Sequence, residues 1–282
     1  MPRKYHREKT GQLKKVCGLY REANRRKYGQ WLVEGPQAVR ELLIWSPDSL
    51  RDIYASDIGL QKHPDIAALI EKIDPYLHLL PPALFQELFP DAQGIAAVCR
   101  APQLTEAVES GNSAVSSAFF KNAQLLIFAL QADNPGNLGT IIRSAAAVGA
   151  DGVLAGVKSA DLGNPKLIRA SAGSVFHIPL RAQQDFSQVI AAARQANMQI
   201  FLADGAGDTL LSALPTSVLK KPTLWIVGNE AHGFTSAQRQ AADQIISIPM
   251  WGKTESLNLA IAATLCLYAS ATAQHTEKLS EQ

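Results

Sequence analysis

Apolar and polar positions alternate along this chain in a regular way. Gln30–Val33 reads as a strand, Pro36–Trp45 as a helix of apolar period, and Leu50–Ser56 as a second strand. His63–Ile73 follows as a helix, Tyr76–Leu80 as a strand, Pro82–Leu88 as a helix and Gly94–Cys99 as a strand. Together with the residues before them, these elements predict a small α/β domain over residues 1–104. Residues 105–122 turn polar and small, as expected of a linker between domains.

A second α/β domain is predicted over 123–275, with 276–282 left as a tail. It opens on Leu125–Leu130, an uninterrupted apolar run of the kind that fills a buried parallel strand. Asn134–Asn137 makes a turn, Asn137 is a plausible N-cap, and a helix follows to Val148. Further strands are expected at Gly152–Ala155, Ser174–Pro179, Gln199–Ala203, Thr223–Val227 and Ile245–Ile248. Helices are expected at Phe186–Ala196 and Thr235–Ala242, before an apolar C-terminal helix. Strand–helix alternation of this kind predicts a parallel sheet covered on both faces, with ligands beyond the carboxyl ends of its strands.

Composition agrees with a folded globular chain: 282 residues, 47% hydrophobic and 18% charged. The net charge of +2 is unevenly placed. Residues 1–30 hold ten lysines and arginines against Glu8 and Glu22, a charge of +8 that leaves −6 for the remainder. A basic segment on a mildly acidic body fits a polyanionic partner, and it fits a solvated basic helix or tail equally well. Cys17, Cys99 and Cys266 lie far apart with no CxxC and no histidine at ligand spacing, so neither a disulfide framework nor a metal site is expected, and a reducing cytoplasm fits. No apolar stretch follows the charged N-terminus as in a signal peptide. Ser256–Gln274 has no charge over 19 residues, but serine, threonine, asparagine and glutamine interrupt it. A helix buried in a core or a subunit interface explains it better than a membrane span.

Three polar clusters each follow an apolar strand. In the first, Arg143 stands on a helix among Gly139, Ala146 and Ala147, a lone guanidinium with room beside it for another molecule; an ordinary interface salt bridge is the simpler account. In the second, Gly228 and Gly233 allow close backbone approach and Glu230 stands at a strand end, although a plain strand–helix turn would look the same. The third, from Ile248 to Asn258, leads into the last helix, with Ser256 as an N-cap or as part of an anion site at free helix amides. Gly252-Lys253-Thr254 resembles the end of a P-loop, but Ser247 stands where that loop needs glycine. No GxGxxG with a following acidic residue is present, and no nucleophile–histidine arrangement stands out.

Taken in order, NPGNLGTIIR (134–143), IVGNEAHGF (226–234) and IPMWGKTESLNLAIAA (248–263) resemble the three signature motifs of the SpoU family, the TrmH-type RNA ribose 2′-O-methyltransferases of the SPOUT superfamily. Asn134-Pro135 replaces the family's usual Asp-Pro, and asparagine also suits the turn. Leu32-Val33-Glu34-Gly35 and Gln93–Val98 resemble the family's L30e-like substrate-binding domain. The resemblance implies a deep trefoil knot in the second domain, and a homodimer with the last helix in its interface. It implies S-adenosylmethionine held largely by backbone groups around Leu130, Gly228, Asn229, Ile248, Met250 and Leu257. It also implies a catalytic surround of Asn134, Arg143, Glu230, Ser256 and Asn258, with no metal. The family's usual proposal makes the arginine a general base, yet a guanidinium with a pKa above about 12 is a poor one. A clamp on the adjacent phosphate, stabilising the developing alkoxide, is the more physical role for Arg143. RNA contacts are expected from Arg7, Lys14, Lys15, Arg21, Arg25 and Arg26, with large-subunit rRNA favoured over tRNA. A tRNA enzyme and a non-catalytic ribosome assembly factor are the alternatives.

Overall fold

The computed structural model describes residues 3–102, 117–228 and 233–276. The chain divides into two compact units, Met1–Gln103 with Asp161–His177, and Leu104–Ala160 with Ile178–Gln282.

In the first unit β1 (Arg3–Tyr5), α1 (Gly11–Cys17) and α2 (Glu22–Tyr28) make up the basic segment. They are followed by β2 (Gln30–Glu34), α3 (Pro36–Trp45), β3 (Leu50–Ala55), α4 (Asp57–Lys62), α5 (Pro64–Ile73), β4 (Tyr76–Leu79), α6 (Pro82–Leu88) and β5 (Ile95–Arg100). The sheet order is β1-β4-β3-β5-β2, with β5 antiparallel to both of its neighbours. The basic segment is folded rather than a loose tail because its apolar positions fall on one side. Leu13, Val16 and Leu19 join Leu32, Tyr54, Phe85, Leu88 and Phe89 in one buried cluster. Thr10 caps α1.

The second unit begins with α7 (Ser117–Phe120), where the expected linker becomes described; its residues up to 116 lie outside the described ones. Then come β6 (Leu125–Leu130), α8 (Pro135–Ala147) and β7 (Gly152–Gly156). The next helix, α9 (Pro165–Ala170), belongs to the first unit. The chain continues through β8 (Leu180–Gln184), α10 (Phe186–Gln195), β9 (Gln199–Ala203), β10 (Thr209–Leu210) and α11 (Thr216–Leu219). It ends with β11 (Thr223–Gly228), α12 (Ser236–Ala241), β12 (Gln244–Ser247) and α13 (Leu259–Gln274). The seven strands are ordered β10-β12-β9-β11-β6-β7-β8 and every pair is parallel, as the apolar runs predicted. In the uncharged last helix two of the polar side chains bond to neighbouring elements: Ser270 Oγ accepts from Trp225 Nε1 at 2.9 Å, and Thr264 bonds Ser144 at 2.7 Å. Among the described residues no helix is long and apolar enough to cross a membrane.

Residues 161–177 depart from the expected domain boundaries, because their side chains serve the first unit. Asp161 takes a salt bridge from Arg25, Arg169 bonds Glu34 at 2.5 Å and Asp91 at 2.7 Å, and α9 packs on β2. The strand expected at Ser174–Pro179 is a single 3₁₀ turn, Ser174–Phe176, and the strand begins only at Leu180. Burial of Val175 and Phe176 made that stretch apolar, while β8 itself, at the sheet edge, is polar.

Two predictions concern the first unit. A Cβ on Gly59 would lie 2.2 Å from the Gly94 carbonyl oxygen, whereas one on Gly11 meets nothing within 4 Å. Urea unfolding should show Gly59→Ala losing about 1–3 kcal/mol and Gly11→Ala holding or gaining about 0.5 kcal/mol. His6 is buried, its Nε2 lies 2.9 Å from His78 Nδ1, and its own Nδ1 has no partner among the described residues. Burial first, then the charges of His78 and Lys4, hold its pKa below 6.5. The unfolded chain therefore takes up a proton that the folded chain refuses, and stability falls as pH drops below 6.5. Urea midpoints across that range should decline towards acid in the wild type and decline less in His6→Gln.

Candidate active site

A cavity of about 250 Å³ opens at the carboxyl ends of β9, β11 and β12. Its wall takes Ala203, Asp204 and Gly205 from the end of β9, Val227 and Gly228 from β11, and Ile246 from β12. Ile248, Met250, Glu255, Ser256 and Leu257 follow from the loop after β12, with Gly233 and Phe234 from the loop after β11 and Leu259 and Ala262 from α13. A parallel sheet delivers these loops together, since all its strands end on the same edge. Gly228 is constrained by space: a Cβ there would come within 2.7 Å of the Phe234 ring. The lining is mostly apolar, with two carboxylates. Asp204, only 12% exposed, is salt-bridged to Arg239 at 2.6 Å, and Glu255 is exposed.

The residues singled out by sequence divide. Gly228, Ser256, Ile248, Met250 and Leu257 line the cavity. Leu130 does not: its side chain packs in the core against the site of Gly156, although its backbone pairs in register with Gly228. Asn229 and Glu230 lie outside the described residues. Asn134, rather than Asn137, caps α8, its Oδ1 accepting from the amides of Gly136 at 2.8 Å and Asn137 at 3.3 Å. Pro135 at the first helical position makes the earlier start possible. The cap of α13 is Asn258, not Ser256, with Oδ1 accepting from Ala260 at 2.9 Å. Asn258 Nδ2 also donates to Asn137 Oδ1 at 3.0 Å, which ties the first polar cluster to the third. Arg143 is exposed in the third turn of α8, outside the cavity wall, and no acceptor bonds it among the described residues.

In the first unit Arg7, Lys14, Lys15, Arg21 and Arg26 are exposed. Arg25 requires correction. It is 4% exposed, bonded through Nε and Nη2 to Asp161 and through Nη1 to the carbonyls of Leu19 and Tyr20, so it is a structural anchor unavailable to a phosphate. Sequence reasoning missed Asp204 and Gly205. The available signal was a polar, glycine-bearing turn closing the apolar run of β9. The buried thiols of Cys99 and Cys266 are pushed up to about 12 by desolvation and serve as core side chains.

Residues 124–268 match the model of the SpoU rRNA Methylase family. The chain is similar over 265 residues, 30% identical, to the 23S rRNA (guanosine(2553)-2′-O)-methyltransferase RlmP of Bacillus subtilis, covering 92% of this chain and 96% of that one. It is 40% identical over 140 residues to the 23S rRNA (uridine(2479)-2′-O)-methyltransferase of Streptomyces viridochromogenes, a match spanning 48% of each chain and so only about half of that relative. The crystal structure of the SpoU methyltransferase AviRb from Streptomyces viridochromogenes in complex with the cofactor AdoMet superimposes with a TM-score of 0.76 at 25% identity, covering 96% of this chain and all of that one. The parallel α/β sheet is the fold of these SpoU methyltransferases. The chain belongs to the SpoU rRNA methylase family.

The doubled use of Asn258 predicts a graded loss. Asn258→Ala should cost about 1 kcal/mol of stability as a lost cap, and Asn258→Asp, which keeps an acceptor for Ala260, should recover most of it by chemical denaturation.

Proposed function

We propose that this chain transfers a methyl group from S-adenosylmethionine to a ribose 2′-hydroxyl of large-subunit ribosomal RNA. The carrying observation is the strand-end cavity built from the second and third motif loops. Its lining fits the cofactor's chemistry. Val227, Ile246 and Ala262 offer apolar cover, and backbone groups of Gly228, Ile248, Met250 and Leu257 offer hydrogen bonds without charge. Asp204 offers a carboxylate to sugar hydroxyls. When bound, S-adenosylmethionine supplies an electrophilic methyl carbon on a sulfonium.

The remaining work falls to the chain. Arg143 holds the phosphate beside the target ribose and stabilises the oxygen as it loses its proton to phosphate or water. Asn134 and Asn258 hold the two helices that frame this surface. Because Arg143 stands outside the cavity wall, we place a second copy of the chain against α13. There Ile261, Leu265 and Tyr268 expose an apolar stripe at helical spacing, and Trp251, 89% exposed, lies in the preceding loop. The segment around the second and third motifs forms the family's trefoil knot in this reading. RNA is held by Arg7, Lys14, Lys15, Arg21 and Arg26, and the reaction runs in the cytoplasm. Relatives named for 23S rRNA favour rRNA over tRNA.

Transfer of labelled methyl to rRNA and tRNA tests this reading. Wild type should label ribose in rRNA, and Arg143→Ala should lower turnover by on the order of 10²-fold or more while cofactor binding by calorimetry is unchanged. Arg143→Lys should recover little, since it lacks the planar fork. Cofactor binding with no transfer to ribosomal RNA or particles would favour an assembly factor instead.

A further inference from the structure

The consecutive Arg25-Arg26-Lys27-Tyr28 of α2 point in two directions. Arg25 is sunk into the first unit on Asp161 and two carbonyls, which fixes the helix. Arg26, Lys27 and Tyr28 are exposed, with Tyr28 37% accessible at the helix end. Gly29 closes the helix at φ +56 and turns the chain away. Two ammonium groups meet the Tyr28 ring: Lys15 Nζ from α1 lies 4.6 Å from the centroid and Lys27 Nζ 5.5 Å. Lys14 is exposed beside Lys15 on α1.

We propose that Tyr28 is a stacking platform for an unpaired RNA base, with Lys15 and Lys27 pairing to the phosphates that flank it. The proposal rests on the reading that the substrate is RNA, and it names the feature of that RNA which the basic segment takes. An exposed ring face held by ammonium groups exchanges them readily for a base, since base–aromatic stacking outweighs an exposed cation–π contact. The displaced ammonium groups then stand within reach of the backbone that carries the base. Duplex RNA keeps its bases stacked on one another and presents no free face, so the platform selects a loop or bulge. The buried Arg25 keeps α2 fixed before RNA arrives, so little ordering cost falls on binding.

The test uses the full chain and two probes, a hairpin RNA with 2-aminopurine at an unpaired loop position and the blunt duplex of the same stem. Wild type should bind the hairpin more tightly and quench the loop fluorophore. Tyr28→Leu should weaken hairpin binding roughly tenfold and abolish the quench with duplex binding unchanged, while Tyr28→Phe keeps both. Lys15→Ala should lower the salt slope of hairpin binding by about one. Unfolding midpoints of the variants separate misfolding from lost contact. If folded Tyr28→Leu binds the hairpin as wild type does, or loses hairpin and duplex equally, the platform is wrong and the RNA reading stands. If wild type binds neither probe, both fall together.

Discussion

The parallel pairing of β6, β11 and β9 is the constraint on which the second unit depends. Thr223 through Gly228 pair residue for residue with Leu125 through Leu130, and the first four of them also pair with β9. With its backbone groups satisfied on both sides, this centre of the sheet holds almost only apolar side chains, down to Trp225 and Phe128. All polar chemistry is thereby pushed to the strand ends. Because the strands are parallel, the ends that carry the motifs lie on one edge. The cavity there is a consequence of that arrangement: three strands stop, their loops diverge, and small residues at Gly205, Gly228 and Ala262 leave the space between them open.

The residues of the first and third motifs have a double use. Asn134 and Asn258 stand where catalytic residues are expected, and both are also helix caps whose side-chain oxygens take free amides. Through Asn137 the two caps become one hydrogen-bonded system. Capping therefore sets the start of α8, and with it the turn from which Arg143 projects. The Ser144–Thr264 bond repeats this link two turns further along the same pair of helices. Changes at either asparagine act on the position of the guanidinium as well as on any direct contact.

Much of this was legible in the sequence, and the failures share a cause. Buried parallel strands announce themselves by continuous apolar runs, so β6, β7, β9, β11 and β12 were found, as was the final helix. Apolarity reports burial, however, and not the kind of structure that is buried. Ser174–Pro179 is apolar because Val175 and Phe176 are enclosed, and it forms a turn; the polar edge strand β8 gave no signal at all. Helix starts were misplaced by three residues at Asn137 and by two at Ser256, since several residues in each loop have capping chemistry and only backbone angles choose among them. The turn after β9 marks Asp204 as polar at a strand end, but its partner, Arg239, is 35 positions away and no local spacing links the two.

The basic segment shows most directly why composition underdetermines role. Arg25 and Arg26 are adjacent and chemically identical, yet helical geometry turns them about 100° apart. One faces Asp161 and two carbonyls and is buried, where an unpaired guanidinium would be costly. The other pairs with Glu22, one turn back on the same exposed face. A surface pair of that kind contributes little to stability. Arg26 is thus free to exchange its partner for a phosphate, and Arg25 is not. The anchoring of one arginine is what gives the other, with Lys27 and Tyr28, a fixed surface to present. Net charge counts both equally, and only burial separates the residue that holds the helix from those left exposed.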